Sequence, residues 1–293
     1  LMNIIIIGAG VVSGIERIVR LLMPMLFVLM IVMVVNSIIN GDFARGLSFL
    51  FAPNFSDVTP ATFLSAMGQA FFSLSLGMGS IMCYGAYMPK DENVFNTSLT
   101  VCGLDTLIAI MAGLAIFPII FAYGLEPDAG PSLVFISLLS VFWDMPFGNY
   151  IGPVFFILLS VAALSSSISL LEPSVAFLSE EKIYSRKSAS IILGLIAWFL
   201  GIGSLLSFNL WSEVNIIGDL NFLNSMDFLA NQFLMPLGGM FVAIFAGWFL
   251  STKIIKEELE PGQKKIFIVW RFFIKFISPA LVALIFINQL FFS

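Results

Sequence analysis

Three carboxylates and a ladder of hydroxyls stand in stretches that are otherwise apolar. Asp105 lies in LTVCGLDTLIAIMAGLAIF, Glu172 precedes Pro173 in SISLLEPSVAFL, and Asp227 sits in SMDFLANQF. An ionisable group inside an apolar segment is costly and points to ions, protons or a ligand unless a bland role explains it. For Asp227 such a role is at hand, because a carboxylate near a helix N-terminus is favoured by the dipole while it stays wet. For Glu172 the bland role is hydrogen bonding near the backbone that Pro173 frees. Asp105 is surrounded by apolar residues for a turn either way, so the bland reading is weaker there. Ala162, Ser165, Ser166 and Ser169 recur at three- and four-residue spacing and so share one helix face. That face suits a partly dehydrated sodium ion, which takes oxygen ligands. It suits tight helix packing equally well, and packing is the commoner use.

A second feature is backbone rather than side chain. Gly68–Tyr87, GQAFFSLSLGMGSIMCYGAY, is long and apolar enough to span a bilayer, yet its middle carries Ser73, Ser75, Gly77, Gly79 and Ser80. Glycine costs a helix about 1 kcal/mol relative to alanine, and serine competes for its own backbone. A local break at membrane depth would free carbonyls and amides that lipid cannot satisfy, so protein, water or a ligand must. Broken helices near the midplane build substrate and ion sites in many secondary transporters. Small residues that merely permit close packing are the alternative, and this stretch alone does not decide between them.

The elements that would position these groups follow from composition. Of 293 residues, 59% are hydrophobic and 11% charged, which marks an integral membrane protein and an all-α, polytopic fold. Seven spans are expected, at about 18–40, 61–88, 99–124, 148–178, 188–209, 226–250 and 267–291. A re-entrant or interfacial extracellular helix is expected at about 131–146, bounded by Pro131 and Pro146. Residues 1–9, LMNIIIIGA, are too short to span and read as the tail of a helix, so an N-terminally incomplete chain is expected. All 13 Lys and Arg except Arg45 fall on one side of these spans, Lys90 among them. The positive-inside rule makes that side cytoplasmic and puts the C-terminal LFFS outside. Lys253–Lys265, with Glu257, Glu258 and Glu260, reads as a mixed-charge cytoplasmic loop. With no histidine, no nucleophile–base pair, no metal cluster and no phosphate-binding loop, an enzyme is disfavoured and no organic cofactor is expected. Cys83 and Cys102 read as small hydrophobes.

The same residues carry a family resemblance over essentially the whole chain. GIERIVRLLMP at 14–24, GQAFFSLSLGMG at 68–79, LDTLIAIMAGLAIFP at 104–118, AALSSSISLLEPSVAFL at 162–178, SRK at 185–187 and MDFLANQFLMP at 226–236 resemble the bacterial amino-acid branch of the neurotransmitter:sodium symporters. The resemblance implies part of an inverted-repeat bundle, family helices five to eleven, with a discontinuous helix near 73–80. It implies substrate contacts at Phe72 (an aromatic lid), Ser73, Ser75, Met78, Ser166 and Leu170. It implies sodium ligands at Ser73 and Asp105 for one ion, and at Ala162, Ser165 and Ser166 for another. It assigns gating roles to Asp227 with Gln69 beside it on the outer side, and to Tyr87 and Glu180 on the cytoplasmic side. Met78 stands where a relative has a pocket phenylalanine, so side-chain preference is expected to differ.

The implied activity is sodium-coupled symport of an amino acid, hydrophobic or aromatic given Met78 and Leu170, by alternating access in the inner cell membrane. Na+ is the co-transported ion, and nucleic acid is not a partner. A homodimer is left open. Asp105 supplies a fixed carboxylate near the first sodium site, so chloride-independent transport is expected, with proton antiport through Asp105 left open. The unwound first helix of the family is absent from this chain, so transport is expected of a full-length parent. The alternative of another class is a transport-inert pseudo-transporter or regulatory partner.

Overall fold

The computed structural model describes residues 1–52, 54–89, 91–126, 133–258 and 264–291. Lys90, Pro131, Glu260 and the final Phe292 and Ser293 lie outside the described residues. In order, the helices are α1 (Met2–Gly8), α2 (Arg17–Asn40), α3 (Phe43–Phe51), α4 (Pro60–Ser73), α5 (Ser80–Ala86), α6 (Val94–Ala122), α7 (Leu138–Asp144), α8 (Gly148–Glu180), α9 (Arg186–Leu206), α10 (Phe222–Phe228), α11 (Met235–Ile244), α12 (Thr252–Glu258), α13 (Lys264–Phe272) and α14 (Ser278–Phe291). Wide π-helical turns lead into α2 (Val11–Glu16) and α7 (Leu133–Ser137), join α10 to α11 (Leu229–Leu234), follow α11 (Phe245–Phe249) and join α13 to α14 (Phe273–Ile277). The described strands, β1 (Asn215–Ile217) and β2 (Leu220–Asn221), form one antiparallel pair with Asn215 opposite Asn221.

Six described stretches are long and apolar enough to cross a membrane: Val11–Asn40, Val94–Ala122, Gly148–Glu180, Arg186–Leu206, Phe222–Phe249 and Phe267–Leu284. This is the make-up of a multi-pass membrane protein. The apolar run 61–88 is built differently, as a 14-residue α4 and a 7-residue α5 separated by a break. Leu133–Asp144 is a shorter apolar helix.

The chain divides into two compact units, Leu1–Asp57 with Gly103–Ile168, and Val58–Cys102 with Ser169–Ser293. In the first, Met30 and Met33 of α2, Ile119 and Ile120 of α6, Leu138 and Phe142 of α7 and Phe155 of α8 form one buried cluster. Lipid is as apolar as these side chains, so close packing rather than water exclusion holds such helices together. The turn after α2 is tied to α6 by the Asp42 amide, which donates to the Pro118 carbonyl at 2.8 Å. The Arg45 guanidinium lies 4.5 Å from the Phe121 ring centroid. In the second unit, Phe233 meets Phe286 of α14 edge-on at 5.8 Å. The Leu223 amide at the start of α10 donates to Ser207 Oγ at 3.0 Å.

Candidate functional site

The break between α4 and α5 is built from local sequence. Thr59 caps α4 through a reciprocal capping box with Thr62, and Pro60 occupies the first turn, where its missing amide costs nothing. At the other end the ladder gives out: Ser75 N turns back to Phe72 O at 3.0 Å and Leu76 N to Phe71 O at 2.9 Å. Ser75, Gly77 and Gly79 then take φ of 53°, 82° and 83°, in the left-handed region. The helical pattern resumes with Cys83 N on Gly79 O at 2.9 Å. A serine at positive φ is uncommon and marks strain that its surroundings must hold.

Those surroundings are protein. A Cβ on Gly77 would lie 2.4 Å from Met235 O and 2.7 Å from Gly239 N, and one on Gly238 would lie 2.3 Å from Gly77 O. Two stretches of bare backbone therefore touch, the break on one side and the start of α11 on the other. Residues 73–79 are half-buried and Ser80 is buried.

The α5 side of the break is fastened to the second half of α8. Pro173 has no amide, so the carbonyl four residues earlier, that of Ser169, loses its helical donor. Ser80 Oγ donates to that Ser169 carbonyl at 3.0 Å. One turn on, the Tyr84 hydroxyl donates to Ser169 Oγ at 3.0 Å. The Tyr87 hydroxyl donates to Glu172 Oε1, also at 3.0 Å. Glu172 is fully buried, and Arg186, at the start of α9, grips both its oxygens at 2.7 and 2.6 Å. The role that the sequence suggested for Glu172, bonding near the freed backbone, thus belongs to Ser80, while Glu172 takes a cation and a phenol. Glu180, the other residue to which the resemblance assigns a cytoplasmic gating role, stands exposed at the last residue of α8.

The α4 side opens onto a cavity of about 270 Å³ lined by Gln69, Phe72, Asn231 and Met235, among others. Asn231 donates from Nδ2 to Asp227 Oδ1 at 2.6 Å, so the Asp227 carboxylate is tied to a wall of this cavity. Gln69, Phe72 and Asp227 are exposed, and Ser73, Ser75 and Met78 are half-buried. Leu170, on α8, is 48% exposed.

The remaining predicted ligands belong to the first unit. Asp105 is half-buried on α6. On α8, Ser165 Oγ donates to the Ala162 carbonyl at 2.9 Å. Ala162 is half-buried and Ser166 exposed. The set is oxygen-only, as a hard monovalent cation prefers. Among the described residues no group of three His, Cys, Asp or Glu could hold a metal ion.

Four residues of this site escaped the sequence reading of roles: Ser80, Tyr84, Arg186 and Asn231. Arg186 had a signal, since a carboxylate in an apolar helix calls for a cation. Asn231 had one too, four residues after Asp227 on a helix, whereas Ser80 and Tyr84 had none, because their bonds cross between helices distant in sequence.

Comparison with known proteins shows the family and the fold. A family model described as the sodium:neurotransmitter symporter family matches residues 1–292. An uncharacterized sodium-dependent transporter of Haemophilus influenzae is 38% identical over 99% of this chain and 64% of its own length. The uncharacterized sodium-dependent transporter YhdH of Bacillus subtilis is 33% identical over 98% of this chain and 64% of its own. A crystal structure of MhsT in complex with L-phenylalanine superposes with a TM-score of 0.88 at 43% identity, covering 98% of this chain and 66% of that one. The chain thus spans a little under two thirds of the length of these relatives.

Proposed function

The chain belongs to the sodium:neurotransmitter symporter family, a family of sodium-coupled transporters and not of enzymes, and from that premise we propose that it forms the larger part of a sodium-coupled amino-acid symporter. Hydrophobic or aromatic amino acids are the substrate class. Met78 and Leu170 offer an apolar wall, and L-phenylalanine is bound by MhsT. The observation that carries the reading is the break at 73–80, whose backbone is packed against bare backbone of α11 rather than left to lipid. Polar backbone at that depth, held by protein, is the means by which such a bundle grips a zwitterion.

Within this reading Phe72 is the lid, and Ser73, Ser75, Met78, Ser166 and Leu170 contact the amino acid. Ser73 and Asp105 ligate one sodium ion; Ala162, Ser165 and Ser166 ligate a second. Sodium and substrate binding are coupled, so each raises the affinity for the other. Gln69 and Asp227 gate the outer side, and Tyr87 and Glu180 the cytoplasmic side. The protein sits in the inner membrane with the basic-rich loops in the cytoplasm.

The test is a binding screen of the twenty amino acids on the full-length protein in sodium and in potassium. Binding confined to sodium and strongest for apolar side chains is expected; equal signals in both salts would overturn the reading. Asp105 supplies the fixed negative charge beside the cation, so uptake is expected to be independent of chloride. Asp105→Ala is expected to lose uptake or to make it chloride-dependent. Full, chloride-independent uptake in that variant would remove Asp105 from the site.

A further inference from the structure

Beyond the transport site, the second unit carries a cluster of cations that symport does not use. Arg271 and Lys275 lie inside Phe267–Leu284, a stretch apolar enough to cross a membrane. With Phe267 they fall at four-residue spacing on one helix face. Lys256, from α12, and Arg271 sit 5.3 and 5.8 Å from the Phe267 ring centroid. Lys275 Nζ lies 4.2 Å from the Trp248 ring centroid, and Trp248 Nε1 donates to the Lys275 carbonyl at 3.2 Å. Arg271 also donates to Thr252 Oγ1. The aromatic rings hold three cations in place. Among the described residues, no carboxylate forms an ion pair with any of them, and Glu257 pairs with Lys253.

Cations at that depth call for an anion. One residue further round the helix, Ile268, Phe272 and Phe276 form an exposed apolar stripe, and Trp248 and Phe249 are exposed beside it. A ligand for this place must carry negative charge and hydrocarbon together. We infer that Lys256, Arg271 and Lys275 bind the phosphodiester of an anionic glycerophospholipid, its acyl chains lying along Ile268, Phe272 and Phe276. The planar Arg271 guanidinium suits two phosphate oxygens at once, and the lysines add charge. Because the basic residues cluster on one side of the chain, the lipid comes from that leaflet.

The test is native mass spectrometry of the full-length protein purified with phosphatidylglycerol or phosphatidylcholine. Preferential retention of phosphatidylglycerol is expected. Each basic residue near a headgroup is worth about fivefold in binding, so R271Q/K275M is expected to cut that preference roughly thirtyfold. K253Q, which alters an exposed charge outside the cluster, is expected to keep it. K275M alone, which leaves the side-chain stem on Trp248, is expected to cost about fivefold and supplies the reading if the double variant fails to fold. Equal retention of the two lipids by the wild type, or a preference unchanged in K275M, would overturn the inference. Displacement of the bound lipid by excess inorganic phosphate would reassign the cluster to a soluble anion.

Discussion

The two sides of the helix break are held by different physics. On the α5 side the contacts are dry and charged: a fully buried carboxylate, an arginine with only 22% of its side chain exposed, and a tyrosine hydroxyl. On the α4 side they are wet. Asp227 is exposed, and its partner is the neutral Asn231, which lines a cavity of about 270 Å³. A desolvated ion pair is costly to separate, whereas a solvated hydrogen bond exchanges with water at little loss. The Glu172 side of the break therefore resists separation more than the Asp227 side does.

The sharpest way to break the comparison is to remove Arg186. Arg186→Met leaves Glu172 buried without a cation, and a loss of about 3–5 kcal/mol in unfolding stability is expected. Replacing Glu172 and Arg186 together by leucine is expected to restore most of it, as thermal unfolding in detergent will read. A smaller effect tests the proline argument. Ser80→Ala removes a donor to the Ser169 carbonyl and is expected to cost about 1 kcal/mol. In a Pro173→Ala background the helix supplies its own donor, so the same substitution is expected to cost much less. Equal costs in both backgrounds would show that Ser80 acts otherwise. The smallest effect belongs to the wet side. Asp227→Asn is expected to move stability by no more than about 0.5 kcal/mol in the same thermal unfolding measurement. A large stability loss there would erase the contrast.

The sequence made one side of this contrast more legible than the other. The break was readable because Ser73, Ser75, Gly77, Gly79 and Ser80 oppose helix locally, and local chemistry prevailed. The oxygen face of 162, 165 and 166 was readable from helical spacing. Glu172 was recognisable as costly, yet its partner was not, since Arg186 lies beyond the end of α8 and its reach depends on the turn at 181–185. The Ser80–Ser169 bond joins positions 89 residues apart, and no periodicity encodes it. The π-helical turns were also hidden: Leu229–Leu234 reads as ordinary helix in sequence, and only packing decides that its turn is widened. Among the described residues six continuous spans stand, and the expected stretch 61–88 is split by a break that hydropathy averages across.

The contact of bare backbones at Gly77 and Gly238 also sets an order of assembly. During synthesis Gly77 leaves the ribosome long before Gly238, so the unwound segment enters the translocon with its wall not yet made. Its unsatisfied amides and carbonyls must be kept wet in that interval, since hydrocarbon would cost several kcal/mol for each. Docking of α11 therefore closes the wall late, and a methyl group added at either glycine would press on the backbone of the other stretch.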